Sequence, residues 1–533
     1  MCNKAEILYK NNLMKKILII VLTIILLTGV WVVVKKINMR INNPILSDNH
    51  VTSMINDNQS ANPANNATST SINNKQSSNS TSPTIVNPPS AYKKLSSPFG
   101  FLEGFSSVDE INYFSYLGAG INRDGRLAWE VFEKSPGVYD WSRSDKLIKA
   151  SANIGNDWLF GINPQNSADK KKCRVTTDAC SNLKAECTLC DVENYSQFFT
   201  AIVNRYKGKV KFWQIGNEEN HAWKESPEKY ADFVKINYDL LKKNCPDCQL
   251  VLGGVSSRPS GYYDFYKRVI NGAGEIKKQG RGETFNVFDF HWAGWYGSYK
   301  QIKDVGNNQY YDFKKYVSDI KSDLKANNIS AEIWITEMST YSGDPVDGNP
   351  SGEFLTNPPQ TERQQASELV KRYVYSFASG IKKVFWVKIN EWYKFAGLAN
   401  GFYDNVGLIN NPQADGDSSK KLAYYSYKKM VETLKDSDWS NVQPIQEKDG
   451  VYVYKFNKLG KYIWVAWNDN LEEKQITISG ITSAQVKITE AVSKYGAGKG
   501  VLNYSTAFNT ETKSVQNDKA TIVLKDAPVF IEE

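Results

Sequence analysis

The chain has 533 residues, 41% of them hydrophobic and 23% charged, and is therefore long enough for more than one folded domain. Its formal net charge of +8 is concentrated in residues 1–40, where seven Lys or Arg and one Glu give +6 and leave about +2 for the remainder. A nearly neutral folded part argues against nucleic acid as a partner. Only three histidines are present, one of them His50 in a polar segment, so a histidine-based metal site is not expected.

Residues 17–34 form an apolar run of 18 residues without a charge. This length can span the hydrocarbon core of a bilayer and exceeds most signal-peptide h-regions. The bulky sequence Trp31–Val34 offers no small-x-small cleavage site. We therefore expect an uncleaved transmembrane anchor, with residues 1–16 in the cytoplasm and the rest of a single-pass chain outside it. A cleaved segment, which would give a secreted protein, is the alternative.

Residues 35–95 follow the apolar run and become rich in Asn, Ser, Thr and Pro from residue 41 onward. Such a composition buries too little apolar surface to offset the entropy of ordering the chain. We expect a disordered linker that holds the folded part away from the membrane.

Eight short β-type segments alternate with segments of helical period between residues 99 and 390. This alternation predicts an α/β fold, a (β/α)8 TIM barrel over residues 96–438. The predicted strands are Phe99–Phe105, Ala119–Asp124, Asp157–Asn163, Lys211–Glu218, Gln249–Val255, Val287–Trp292, Glu332–Glu337 and Lys383–Asn390.

Two of these strands end in a glutamate, Glu218 on the fourth and Glu337 on the seventh. The carboxyl ends of the strands face the active-site mouth of such a barrel, so both carboxylates should face one cleft. Two carboxylates presented by separate strands are what glycosidic bond cleavage requires.

Six of the seven cysteines follow the apolar run, and an even number in an oxidising compartment predicts disulfides. A zinc site is the alternative, because Cys187-x-x-Cys190 and Cys245-x-x-Cys248 have the spacing of thiolate ligands. Four of the six lie in residues 166–191, which we expect to form a stapled loop on the active-site face. The six candidates are Cys173, Cys180, Cys187, Cys190, Cys245 and Cys248.

The pattern changes after Leu434 to short segments with period-two alternation and turns between them. These segments predict a small β-sandwich over residues 439–533. The predicted strands are 450–456, 461–467, 474–478, 484–488 and 520–524.

Several motifs together resemble clan A glycoside hydrolases, the barrel enzymes of the family 5 and family 39 type. The sequence from Leu117 to Asp124 is similar to their strand 2 region, Asn217-Glu218 to their strand 4 signature, and Trp334–Glu337 to their strand 7 nucleophile segment. Phe385-Trp386 on strand 8 is also similar. The resemblance covers residues 96–435.

The resemblance implies a retaining mechanism in which Glu218 is the general acid/base and Glu337 the nucleophile. It also implies that Asn217 donates a hydrogen bond to the sugar's 2-hydroxyl and that Arg123 keeps Glu337 ionised. Because no cationic partner for Glu218 is visible in the sequence, we expect burial and a negative neighbour to raise its pKa. No cofactor and no metal are implied.

Strand 6 departs from the family pattern. Many family 5 members carry His-x-Tyr there, with the tyrosine bonded to the nucleophile, whereas this chain has His291-Trp292-Ala293. His291 matches, and either Tyr296 reaches in from the following loop or the nucleophile lacks that bond. Further candidates for contact with sugar are the rings of Trp292, Trp295 and Trp386.

The sequence therefore predicts an extracytoplasmic, membrane-anchored retaining glycoside hydrolase that acts on a polysaccharide or oligosaccharide. A carbohydrate-binding pseudoenzyme or surface sensor on the same barrel is one alternative, and a transglycosylase is another. The sugar, its linkage, exo or endo action and the oligomeric state are not specified by the sequence.

Overall fold

The structure is a computed structural model that describes residues 97–108, 110–125, 127–173, 178–182, 185–304, 309–345, 358–394 and 400–533. The predicted cytoplasmic segment 1–16, the anchor 17–34 and the linker 35–95 lie outside these residues. Within the described ranges, no helix is both long and apolar enough to cross a bilayer.

Eight parallel strands close into a barrel. Strand β2 pairs with β1 on one side and β3 on the other, and the remaining neighbours follow in sequence order from β3 to β8 and back to β1. The predicted TIM barrel is therefore confirmed. The strands are β1 Phe99–Leu102, β2 Ile121–Arg123, β3 Asp157–Asn163, β4 Phe212–Ile215, β5 Gln249–Leu252, β6 Val287–Ala293, β7 Glu332–Ser339 and β8 Lys383–Val387.

A longer helix follows each barrel strand, as the alternating pattern predicts. Several begin at strong capping signals, such as Ser226 with Pro227 before the fourth helix and the Thr361/Gln364 capping box before the seventh. The helices are α1 Ile111–Leu117, α2 Ser142–Asn153, α3 Val192–Tyr206, α4 Pro227–Asn244, α5 Lys267–Lys278, α6 Phe313–Ala326, α7 Glu362–Ala378 and α8 Leu422–Leu434.

The barrel interior changes from apolar to polar along its axis. Its lower layer is a cluster of apolar side chains, with the buried Lys383 ammonium against the rings of Phe212 and Trp334. The cluster consists of Ile121, Leu159, Phe212, Val251, Val287, Trp334 and Phe385. Side chains two residues further along several of these strands face the same way. They form a buried polar layer of Arg123, Gln214, Asp289 and Thr336 below the mouth.

Three disulfides join the six cysteines that follow the predicted anchor: Cys173–Cys190, Cys180–Cys187 and Cys245–Cys248. The prediction of disulfides is confirmed. The zinc alternative is wrong, because Cys187 and Cys190 pair with different partners rather than converging on one site. The first two bridges staple the insert after β3, as expected.

The C-terminal region forms two antiparallel sheets. The larger has the order β9-β10-β11-β16-β13-β14, and the smaller pairs β12 with β15. Sequence analysis missed β9, β14 and β16. The strands are β9 Gln443–Lys448, β10 Val451–Lys458, β11 Lys461–Asn468, β12 Lys474–Ser479, β13 Gln485–Glu490, β14 Thr510–Ser514, β15 Lys519–Leu524 and β16 Val529–Glu532.

Strand β10 in the larger sheet is buried on both faces along most of its length. Val451 and Val453 pack between the two sheets, whereas Tyr452, Tyr454 and Phe456 of the same strand join the hydrophobic core of the barrel side. Period-two alternation thus gives one strand two apolar environments.

Asp469 joins the sheet region to the barrel by accepting three hydrogen bonds. Its donors are the hydroxyl of Tyr299 at 2.7 Å and the ammonium groups of Lys371 at 3.0 Å and Lys300 at 3.1 Å. Trp467 donates to the Tyr299 hydroxyl at 2.9 Å. Because Lys371 is fully buried, this joint compensates a charge that would otherwise be costly.

Candidate active site

Glu337 reaches the barrel mouth through an irregularity in β7. Trp334 faces the barrel interior, so strict alternation would place Thr336 inside and Glu337 outside. The register between β6 and β7 shifts at this point: Ile335 pairs with Phe290, and Glu337 pairs with His291. This β-bulge at Thr336 allows two successive side chains to face the cleft.

Glu218 lies on a sharp turn after β4. Gly216 has a φ of 82°, and a Cβ there would lie 2.1 Å from the carboxylate of Glu219. Glu218 itself has a left-handed φ of 58°, which is unusual for a residue with a side chain and costs free energy of order 1 kcal/mol. Strained non-glycine residues of this kind cluster at functional sites.

Arg123 organises the site from β2. Its guanidinium donates to Glu337 Oε1 at 2.6 Å, to Gln214 Oε1 at 2.6 Å and to Asn217 Oδ1 at 2.5 Å. Because the guanidinium can only donate, Asn217 must turn its oxygen toward Arg123, and its Nδ2 amino group is the donor end of that amide.

His291 joins the two predicted catalytic carboxylates. Its Nδ1 lies 2.8 Å from Glu218 Oε1, and its Nε2 lies 3.6 Å from Glu337 Oε1. One carboxylate oxygen of each glutamate and one ring nitrogen of His291 all lie within 4.8 Å of one another. The structure thus brings Glu218, Glu337, Asn217, Arg123 and His291 together in one place.

The negative charges around His291 raise its pKa above its ordinary value of 6.5. Burial works in the opposite direction, but the charges of Glu337, Glu218 and Asp289 and the hydrogen bond to Glu218 outweigh it. The surroundings therefore stabilise the imidazolium form of His291 relative to a free imidazole in water.

The pKa of Glu218 lies below its ordinary value of 4.5, so the prediction of a raised pKa is wrong. Burial works to raise it, but the hydrogen bond and charge of His291, with smaller contributions from His221 and Arg123, outweigh burial. The free protein thus favours an ionised Glu218 beside a protonated His291.

Glu218, His291 and Glu337 have the donor types of a metal site. However, Arg123 already binds Glu337 Oε1 at 2.6 Å. A fixed guanidinium charge in direct contact with one ligand repels a second cation. The arrangement suits proton transfer and nucleophilic attack better than metal binding.

Two predicted sugar contacts are wrong, because the rings point away from the cleft. Trp292 follows inward-facing His291 and so faces outward, where it stacks on Phe313 at 4.2 Å and lies 4.2 Å from the guanidinium of Arg372. Trp386 follows inward-facing Phe385, is fully buried and donates to the carbonyl of Val406 at 3.0 Å. Neither ring has an exposed face.

The structure separates the remaining two candidates. Trp295 is half-buried and packs against a hydrophobic cluster that contains the strand-end residues Leu102, Ala293 and Val387, and its contact with sugar stays a prediction. Tyr296 instead lies near Lys371, whose ammonium is 5.5 Å from its ring centre, and its backbone N–H donates to Gln360. The contacts described for Glu337 come from Arg123 and His291 rather than from a tyrosine.

Sequence analysis did not single out the polar layer below the carboxylates. Gln214 donates to Asp289 Oδ2 at 2.7 Å, and Asp289 Oδ1 accepts from the backbone N–H of Thr336 at 2.9 Å. The available signal was a polar residue in the middle of a mostly apolar strand: Gln214 in β4 and Asp289 in β6.

No protein-family model matches the chain. Endo-1,4-β-xylanase A of Xylanibacter ruminicola is 23% identical over 141 residues, a stretch that spans about a third of that enzyme. A family 39 glycoside hydrolase of Bacteroides cellulosilyticus WH2 has a TM-score of 0.59 at 17% identity, covering 82% of this chain and 80% of its own. A family 30 endoxylanase of Clostridium papyrosolvens C71 has a TM-score of 0.51 at 15% identity, covering 82% and 95%. These structural neighbours share the predicted fold, that of clan A glycoside hydrolases.

Proposed function

We propose that the protein is a retaining glycoside hydrolase in which Glu337 is the nucleophile and Glu218 the general acid/base. The observation that carries this proposal is the approach of a Glu218 oxygen to within 4.8 Å of a Glu337 oxygen. Retaining enzymes hold their carboxyl groups about 5 to 5.5 Å apart, whereas inverting enzymes need roughly 6.5 to 9.5 Å to admit a water molecule.

The surroundings of each carboxylate fit its role. Glu337 is held by a buried arginine and attacks the anomeric carbon as an anion. The proton that the two groups share passes from His291 through their 2.8 Å hydrogen bond to Glu218 and on to the leaving oxygen, which leaves His291 neutral and Glu218 ionised. Water then attacks the glycosyl ester, gives its proton to Glu218, and releases the sugar and free Glu337.

We further propose that the substrate is a β-linked glycan of plant-cell-wall type, with xylan as the first to test. This rests on two similar proteins that are named as xylanases. The half-buried ring of Trp295 at the mouth would contribute an apolar face for a pyranose.

Sugar release by the purified protein from xylan and from a panel of β-linked aryl glycosides tests this function. Glu337→Gln should lower turnover about a thousandfold or more, because removal of a nucleophile abolishes the covalent route. Glu218→Gln should lower turnover of xylan more than that of a dinitrophenyl glycoside, whose leaving group needs no proton.

A matched control is Glu332→Gln, which changes a carboxylate at the exposed start of the same strand as Glu337 and should leave turnover unchanged. Proton NMR of the first product should show the β anomer. Initial release of the α anomer would contradict the retaining mechanism, and binding without turnover by all variants and the parent would favour the pseudoenzyme.

We also propose that residues 17–34 anchor the protein in a membrane, with the barrel outside the cytoplasm. The uncharged apolar run supports the anchor, and three disulfides support an oxidising compartment. Fractionation of cells that express the full chain should place it with the membranes. Release into the soluble fraction by deletion of 17–34 would identify this run as the anchor.

A further inference from the structure

We infer that Asp289 is a positioning residue for the nucleophile, because it fixes the β-bulge that turns Glu337 into the cleft. This inference rests on the proposed function. Asp289 is fully buried on β6, and its role would be to hold the strand geometry on which the position of Glu337 depends.

Both oxygens of Asp289 are engaged by the bulge. Oδ1 accepts from the backbone N–H of Thr336 at 2.9 Å, and Oδ2 accepts from the Thr336 hydroxyl. A regular strand would have no unpaired N–H at this place, since bulges leave one residue outside the ladder. Asp289 therefore accepts a hydrogen bond from the Thr336 N–H that the bulge leaves unpaired. Inside the barrel, leaving that N–H without an acceptor would cost free energy.

The bulge decides which face of β7 carries the side chain of Glu337. Inward-facing Trp334 sets the phase of β7, and a regular register would place Glu337 outside the barrel. The bulge changes the phase by one residue and brings Glu337 beside inward-facing His291. Without the carboxylate of Asp289, the bulged register loses the hydrogen bonds that distinguish it from the regular one.

Asp289 also couples the nucleophile to its arginine. Gln214 donates to Asp289 Oδ2 at 2.7 Å and to the carbonyl of Leu252 at 3.0 Å, while its Oε1 accepts from Arg123 Nε at 2.6 Å. The chain Arg123–Gln214–Asp289–Thr336 thus fixes both members of the Arg123–Glu337 pair from below. Gly254 makes room for this layer, because a Cβ there would lie 2.6 Å from Asp289 Oδ2.

An isosteric change isolates this role. Asp289→Asn replaces one acceptor oxygen by an amino group, which would face either the Thr336 N–H or the donors of Gln214 and Thr336. Two donors would then oppose each other in a buried place, and the bulge would shift to relieve them.

The measurement is the rate at which 2,4-dinitrophenyl 2-deoxy-2-fluoro-β-xyloside, or the glycoside of whichever sugar the wild type releases, inactivates the full-length protein. In this step a Glu337 oxygen bonds to the anomeric carbon and dinitrophenolate leaves with the electron pair, so no proton from Glu218 or His291 is needed. Asp289→Asn should slow inactivation about 10- to 100-fold, as small displacements of a reacting group do. The reagent's binding constant should change less than about threefold, because the sugar contacts remain in place.

Glu368→Gln is the matched control, because Glu368 is equally buried but pairs with Arg372 on helix α7. It should lower the melting temperature without changing the inactivation rate. If Asp289→Asn does not fold, Thr336→Val removes the hydroxyl arm alone and should slow inactivation about tenfold.

An inactivation rate unchanged in folded Asp289→Asn, or slowed equally in Glu368→Gln, would overturn the inference. A wild type that neither turns over any glycoside of the panel nor reacts with the reagent would instead overturn the proposed function.

Discussion

Two polar networks of this molecule each hold a buried charge, but only one of them leads to the carboxylate pair. Below the barrel mouth, Arg123, Gln214, Asp289 and Thr336 are joined by hydrogen bonds that lead to Glu337. At the joint between barrel and sheets, Asp469 binds Tyr299, Lys371 and Lys300, and no member of this group contacts the carboxylate pair in the described contacts. A buried charge alone therefore does not identify a functional site. The two networks differ in whether their hydrogen bonds connect to a carboxylate of the Glu218–Glu337 pair.

The sharpest test of this comparison is Arg123→Lys in the first network. Lysine keeps the charge but cannot reach Glu337, Gln214 and Asn217 at once from one ammonium. We expect kcat/KM to fall about 100- to 1,000-fold, the usual cost of losing an electrostatic donor in an active site. Steady-state kinetics on the best substrate measures the effect. Arg205→Lys, at an exposed ion pair with Asp145, should leave the rate unchanged.

The converse test is Asp469→Ala in the second network. It leaves Lys371, whose side chain is only 2% exposed, without its carboxylate. We expect a loss of about 2 kcal/mol of stability, less than for a fully buried pair because solvent reaches Asp469, with kcat unchanged. Calorimetry and kinetics on the same sample separate the two effects. Lys300→Ala removes a partly exposed partner of the same carboxylate and should cost less than about 1 kcal/mol. If Asp469→Ala lost activity without losing stability, the second network would support catalysis rather than stability, contrary to this comparison.

Another buried carboxylate, Asp124 directly after β2, belongs to neither network. Burial, opposed by Arg143 and reinforced by Glu103, raises its pKa from 3.8 to about 6. The folded state therefore binds the proton more tightly than the unfolded state, and stability falls as pH rises from about 4 to 6. Asp124→Asn should add about 2 to 3 kcal/mol at pH 8 and nothing at pH 3.5. Melting temperatures at the two pH values test this, and an equal change at both would contradict it.

The smallest expected effect is a displaced pH profile in His291→Gln. Glu218, Glu337, Asp289 and Thr336 face His291, and their charges raise its pKa above 6.5, so the Glu218–His291 pair keeps one proton beyond that pH. The alkaline limb of kcat/KM should therefore lie above pH 6.5 in the wild type. In the variant Glu218 titrates alone from an ordinary value of 4.5, raised by burial, and the limb should move toward acid pH. An unmoved limb would show that His291 does not share the catalytic proton.

Much of the fold could be predicted because the barrel strands are apolar β-type runs. Strand β3 has the predicted bounds, and the others differ mainly at their carboxyl ends: β1, β4, β5 and β8 stop short of the predicted end, whereas β6 and β7 run one and two residues past it. Strand β14, Thr510–Ser514, was missed because its side chains are nearly all exposed and polar, so it lacks the apolar alternation that identifies a strand.

The candidate site was predictable where residues end strands and not where registers shift. Glu218 and Glu337 could be named from position alone. The errors on Trp292 and Trp386 were avoidable, because an inward-facing neighbour makes the next side chain face outward. The His291–Glu218 contact joins residues 73 apart in sequence, and the bulge at Thr336 is a shift between two strands that no local pattern encodes.

We expect the stapled insert to make the neighbourhood of Glu218, the proposed acid/base, depend on thiol oxidation. Glu186 directly precedes Cys187 in this insert. Its backbone forms a β-bridge with Trp223 and accepts a hydrogen bond from the N–H of Lys224, and its carboxylate accepts one from the side-chain amide of Asn163 at 2.8 Å. These contacts reach the segment that directly follows Glu218. A chain whose cysteines are still reduced would lack the covalent ties that hold this wall. The cleft would then reach its final structure only after the cysteines are oxidised. Comparing the turnover of reduced and oxidised protein would measure that dependence.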